Sequence, residues 1–177
     1  MIWPKKMLDL MGRKREDKLV PLEIQNCEFD HICEIIPKLD DNNEAIEFFP
    51  QSRYKKQYLG LHRYGKGPFC KFTIDKRYFG KMGVYIILVN DDKKYVGECE
   101  DFYNRFYAYG NISPKNCFKG GRSTNCRINN NILTSFKANN SIQLYFLETV
   151  DRFKIEHELI QELTPPWNKT VGKPSKI

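Results

Sequence analysis

The sequence has no apolar run near the roughly 20 residues that a bilayer-crossing helix requires, and Met1 to Arg15 lack the apolar stretch of a secretory signal. Both absences exclude a membrane role and lead us to expect a cytoplasmic protein. Paired cysteines are missing too. Cys27, Cys33, Cys70, Cys99, Cys117 and Cys126 show no C-x-x-C spacing, and His31, His62 and His157 do not stand at zinc-ligand intervals from them. This excludes a structural zinc module. A group drawn from Cys27, His31 and Cys33 reads better as buried free thiols in a reducing compartment. There is no internal repeat and no low-complexity tract, and a 41% apolar share excludes bulk disorder.

What is present is a chain of 177 residues with a net charge of +7, enough for a hydrophobic core and suggestive of a polyanionic partner. The charge is uneven. Residues 1–47 carry 7 basic and 11 acidic residues, net −4. In residues 48–82, nine basic residues (Arg53, Lys55, Lys56, Arg63, Lys66, Lys71, Lys76, Arg77 and Lys81) face a single acid, Asp75, for a net +8. That block is interleaved with aromatics such as Phe48, Tyr54, Tyr58, Tyr64, Phe69 and Phe72, a mixture suited to phosphate contact plus stacking. The plainer reading, aromatic core with a solvated basic rim, stands beside it.

The first 20 residues mix charges without a period and are expected to form a loosely held or partner-binding lead. Over residues 28–36, Phe29, Ile32, Cys33 and Ile36 fall at helical spacing, which predicts a helix stopped by Pro37. Phe69 to Ile74 reads as a short extended run. Gly83 to Val89, ended by Asn90-Asp91-Asp92, and Lys93 to Gly97 read as the two strands of a hairpin. Asp101 can cap a helix that Gly110 ends. After a loop, Ser123 or Thr124 can cap a second helix, with Ile128, Ile132 and Phe136 on one face. Ile142 to Leu147 is a third strand. Asp151 can cap a last helix carrying Ile155, Leu159 and Leu163, which Pro165-Pro166 terminates. The predicted fold class is α+β, ordered β-β-α-α-β-α, with a three-stranded sheet flanked by helices.

Gly83-Val84-Tyr85 followed by Tyr95-Val96-Gly97 resembles the paired signature of the GIY-YIG nucleases, with valine at both middle positions. The rest of the series strengthens the likeness: Arg105 ten residues after Tyr95, Tyr109 one helical turn later, then Glu156, Pro165 and Asn168. The resemblance spans residues 83–168. It implies three parts: an N-terminal extension over 1–82, partly helical, with a DNA-contacting segment at 48–82; a catalytic domain over 83–170; and a basic tail at 171–177.

The resemblance implies metal-dependent hydrolysis of DNA phosphodiesters. Tyr85 is implied to be the general base, a role that a phenol fills only if cationic neighbours favour the phenolate. Glu156 is implied to be the ligand of Mg²⁺, with Mn²⁺ able to substitute; one carboxylate with several retained waters suits that ion. Arg105 would grip the scissile phosphate. Tyr109, where related nucleases often carry histidine, and Tyr95 would orient water or phosphate, while Asn168 would brace the metal side. Glu158 and Glu162 read as solvent-facing. DNA contacts are expected from Arg53, Lys55, Lys56, Arg63, Lys66 and Lys71, and from Lys115, Lys119, Arg122 and Arg127 around the second loop. A compact chain of this kind reads as a type II restriction enzyme, with a homodimer on a palindromic site. A relaxed-specificity nuclease of a phage or mobile element, and a non-catalytic DNA-binding module that keeps the fold, remain open alternatives.

Strand parity adds a test. Tyr85 and Tyr95 share a face only if opposed residues have an even index sum, so the hairpin needs a three-residue turn at Asp91-Asp92-Lys93 or a bulge.

Overall fold

In the computed structural model, which describes residues 20–169, ten regular elements follow in chain order. They are β1 (Leu22–Ile24), β2 (Cys27–Glu34), β3 (Glu47–Phe48), β4 (Phe69–Cys70), β5 (Gly83–Val89), β6 (Asp92–Cys99), α1 (Phe102–Gly110), α2 (Ser123–Lys137), β7 (Ile142–Glu148) and α3 (Arg152–Leu163). From Gly83 onward the order is the predicted β-β-α-α-β-α. The expected N-terminal lead up to residue 19 and the basic tail lie outside the described residues. No helix among the described residues is long and apolar enough to cross a membrane.

The sheet differs from expectation: it has five antiparallel strands in the order β1-β2-β7-β5-β6, not three. Of the two extra strands, β2 covers most of the segment whose spacing predicts a helix, and β1 lies just before it. The cause is a bulge in β2, where the register with β7 shifts between His31 and Cys33. Before the bulge, Phe29 packs on one side of the sheet with Ile24 and Tyr145. Beyond it, Cys33 and Ile35 pack on the other side. A period of two interrupted by one inserted residue leaves apolar positions three and four apart, which imitates a helical face.

The hairpin also closes differently in detail. Asn90 and Asp91 both have positive φ, 48° and 69°, as a two-residue turn of primed type requires, so Val89 pairs with Asp92. The register then shifts past Leu88–Lys93, so that Ile87 pairs with Tyr95 and Tyr85 with Gly97. The bulge alternative is therefore the one realised, and it restores the even parity that puts both tyrosines on one face.

That face packs against α1 and α2 through Tyr85, Ile87, Tyr95, Leu144 and Phe146 with Phe102, Phe106, Ile128 and Ile132. The opposite face, with Val84, Ile86, Val96 and Tyr145, is covered by Leu159 and Ile160 of α3. Complete burial of side chains such as Ile86, Ile87 and Ile128 stabilises the fold by about 1.5–3 kcal/mol each. A third cluster joins Phe48, Tyr54, Tyr64 and Phe69 to Ile112, Cys117 and Phe118, so the basic block and the loop after α1 form one packed unit. Most aromatics of the block are thus core, while Phe49, Tyr58 and Phe79 stay exposed.

Asp101 caps α1, accepting a bond from the Asn104 N–H at 2.9 Å. The other predicted caps do not form. Arg122 holds the cap position of α2 without a side-chain bond. Asp151 precedes α3 at ψ 25°, outside the extended region in which a cap carboxylate reaches the helix N–H groups. All six cysteines are free, four of them buried.

Candidate active site

Tyr85 sits in the middle strand of the hairpin half of the sheet, where the alternation of β5 turns it toward the helices. Its ring lies 5.1 Å from that of Phe106, 5.8 Å from Phe102 and 6.1 Å from Tyr95. The hydroxyl is 2.7 Å from that of Tyr109. Gly97, directly opposite, provides the room: a Cβ there would come within 2.4 Å of the Tyr85 hydroxyl oxygen. This is a steric reason for glycine at the end of the second triplet.

Tyr85 is only 1% exposed. Burial, reinforced by Tyr109 and Tyr95, pushes its pKa well above the ordinary phenol value, and the nearby Arg105 charge lowers it by less. Tyr95 is likewise pushed up by burial and by Tyr109. The cationic help that a phenolate would need is therefore present but outweighed in the free protein.

Arg105 and Tyr109 are four residues apart on α1 and face the same way. The guanidinium carbon lies 6.0 Å from the Tyr109 ring centre. Burial opposes the charge on Arg105, but the oxygens of Tyr85, Tyr109 and Tyr95 hold its pKa above the ordinary guanidinium value. Tyr109 is held from behind by Asn129 of α2, which is fully buried. Its amide donates to the Tyr109 carbonyl at 2.7 Å and bonds both backbone groups of Cys70 in β4.

Glu156 reaches this group from α3, at the free side of β6. Its carboxyl is pushed up to about 7, first by burial and then by the Glu98 charge. The Glu98 N–H and Arg105 pull the other way. Glu98 itself is 2.8 Å from Arg152, which also bonds Glu100 at 3.0 Å. Glu158 and Glu162 face solvent.

Among the described residues, no group of three or more His, Cys, Asp or Glu side chains stands close enough to hold a metal ion. An all-protein cage is therefore absent, whereas the donor chemistry at Glu156 fits a hard cation with retained waters. A half-buried carboxylate raised by a second carboxylate is the kind of group whose charge a divalent ion relieves. Glu156 would hold such an ion, which would supply charge for a developing phosphorane and its leaving oxygen.

Asn168 does not point at this carboxylate. Its amide donates to the Val96 carbonyl at 2.8 Å and accepts from the Val96 N–H at 3.0 Å, so it mimics a neighbouring strand along β6. The Trp167 N–H donates to the Lys94 carbonyl at 2.9 Å. Together with Glu156 at Glu98, these residues occupy the outer side of β6 at positions 94, 96 and 98.

Of the residues expected to contact DNA, Arg53, Lys55, Lys56, Arg63, Lys66, Lys71, Lys115, Lys119 and Arg122 are exposed. Arg127 is the exception, only 9% exposed, with its guanidinium carbon 5.9 Å from the Tyr95 ring centre. Two adjoining clefts, of about 540 and 470 Å³, share Lys71, Tyr107 and Asn111; neither includes the tyrosine cluster. The polar groups converge at the tyrosines, apart from these roomier clefts. Glu98, Asn129 and Arg152 are additions that the sequence did not single out. Their partners lie far away along the chain, and only the Glu98 position, one residue past Gly97, offered any sequence signal.

No protein-family model matches the chain, and no curated protein does. Among solved structures, the chain is similar to a mutant of bacteriophage T4 EndoII, with 18% sequence identity, covering 79% of this chain and 91% of that one, at a TM-score of 0.48. A likeness this distant says nothing of what the present chain binds or does.

Proposed function

We propose that this chain is a divalent-metal-dependent DNA endonuclease. The observation that carries the reading is the convergence of Tyr85, Tyr95, Tyr109 and Arg105 on one face of the hairpin, with Glu156 close enough for Arg105 to act on both Tyr85 and Glu156. Phosphodiester hydrolysis needs a cation for the scissile phosphate, a metal ligand and a proton acceptor. Arg105 would bind the phosphate, Glu156 would hold Mg²⁺ or Mn²⁺, and Tyr85, hydrogen-bonded to Tyr109, would take the proton of the attacking water as a phenolate that has first lost its own proton to solvent. We assign the chain to the GIY-YIG type and, more narrowly, to sequence-specific restriction by a homodimer on a palindromic target.

The test is Mg²⁺-dependent digestion of a DNA of known sequence with mapping of the ends. Discrete fragments support restriction, and a smear supports a relaxed nuclease. We expect Glu156→Ala to lower cleavage at least about 100-fold while DNA binding persists, in line with the cost of removing a preorganised electrostatic group. The burial of Tyr85 favours one rival, a DNA-binding module without catalysis. A wild-type protein that binds DNA but never cuts it in Mg²⁺ or Mn²⁺ would decide for that rival.

A further inference from the structure

We propose that Arg127, Lys169 and Arg63 converge on Tyr64 to form a second anion site, which holds a backbone phosphate of the nucleic acid beside the one gripped by Arg105. The inference rests on the DNA reading above and adds a contact contributed largely from outside the hairpin unit.

Arg127 is the starting point. It is a buried cation, and no carboxylate stands within ion-pair distance of it among the described residues. Among the described residues, none of the buried polar atoms without a partner belongs to Arg127, so its guanidinium keeps contact with solvent, and what it lacks is a counter-charge. Its aromatic neighbour Tyr95 compensates weakly at 5.9 Å.

Two more cations gather nearby. Lys169 Nζ lies 4.2 Å from the centre of the Tyr64 ring and the Arg63 guanidinium carbon 4.9 Å, and neither has an acidic partner among the described residues. Lys169 above all, then Arg63 and Arg127, pulls the Tyr64 phenol below its ordinary value, although burial acts in the opposite direction. The Lys169 hydrogen bond and the neighbouring cations therefore make the potential at this point positive.

The cluster is also preorganised. Asn130, on α2 with Arg127, donates to the Tyr64 carbonyl at 3.1 Å. The Tyr64 N–H donates to His62 Nδ1 at 3.1 Å, and the other ring nitrogen of His62 lies 2.6 Å from the Asn116 carbonyl. Two cations on the Tyr64 ring, with Arg127 one helical turn from the Asn130 that bonds Tyr64, repel one another until an anion arrives. A phosphodiester supplies one charge and oxygens that match a guanidinium fork. Arg127 then lies over Tyr95 of the tyrosine cluster, and α2 carries it three residues before Asn130, the residue that bonds Tyr64.

The test is binding of a fluorescently labelled DNA duplex in EDTA, where no cleavage intervenes, as a function of salt. Lys169→Ala, Arg63→Ala and Arg127→Gln should each lower the slope of log K against log salt, by up to about 0.9 for full loss of the one phosphate contact, which is up to about eightfold in affinity at 0.1 M salt. Lys169 and Arg63 are exposed, so their variants remain informative if Arg127→Gln fails to fold. Unchanged slopes in both exposed-site variants would overturn the site, as would a wild-type protein that does not bind DNA. Competition by millimolar inorganic phosphate would show a site for small free anions and overturn the backbone assignment. A protein that loses slope as expected but never cuts keeps this inference and loses the endonuclease reading; one that cuts with unaltered slopes does the reverse.

Discussion

At neutral pH the Glu156 carboxyl is about half protonated, because burial and the Glu98 charge hold its pKa near 7 instead of near 4.5. The folded chain therefore keeps a proton that the unfolded chain has already lost between about pH 4.5 and 7. Stability from this group is present below that window and lost as pH rises through it. We expect Glu156→Gln to remove this part of the slope, so that the variant gains thermal stability over the wild type on going from pH 4.5 to 7.5 in EDTA. Added Mg²⁺ should raise the melting temperature of the wild type at pH 7.5 and leave the variant unmoved. Parallel melting curves for the two proteins across that range would refute the assignment. At this scale the resemblance to a nuclease signature points to Tyr85, Tyr95, Arg105, Tyr109 and Glu156, and the structure brings the three tyrosines and Arg105 together. The sequence was silent on Asn129 and Arg152, whose roles depend on partners across the fold. Asn168, expected to brace the metal side, instead bonds the Val96 backbone.

Among the elements, the hairpin and α1 were the most legible, because a dense apolar run, a turn of Asn and Asp, and a capping aspartate each have a local cause. The places where reading failed share one physical origin. A bulge adds one residue and reverses the phase of the side chains, and both β2 and β6 contain one. In β2 it disguised a strand as a helix. In β6 parity required it, but its site was not readable. The side-chain ladder of Asn168 on Val96 is an element-scale feature that can be tested. Asn168→Ala removes two bonds, at 2.8 and 3.0 Å, and leaves the Val96 backbone pair uncovered. We expect a loss of about 1–3 kcal/mol in stability, with faster amide exchange at Val96 than elsewhere in the sheet. Exchange at Val96 unchanged from wild type would show that the ladder is not what holds this side of β6.

For the molecule as a whole, β1 and β2, which precede Gly83, are part of the same sheet as the hairpin. β2 pairs with β7, Phe29 and Ile24 complete one core, and Cys70, Phe72 and Ile74 complete the other. We therefore expect a fragment of residues 83–177 to lack a cooperative thermal transition and to elute as aggregates on gel filtration. A monomeric fragment with a sharp melting curve would show that the first 82 residues are a detachable addition. The excess charge follows the same plan. The +8 block is packed onto the loop after α1, so its exposed cations form a surface continuous with the helices that carry Arg105 and Arg127.

The occupied outer side of β6 has a consequence for how two copies could meet. A strand whose N–H and C=O groups are already taken by Glu156, Asn168 and Trp167 cannot accept a strand from another chain. At the far end of the sheet, among the described residues, β1 offers only three residues. Under the proposed endonuclease reading, two copies acting on opposite strands of a duplex would meet through side-chain contact between helices or loops and not through β6. The same seal keeps this edge of the sheet from templating fibrillar self-assembly.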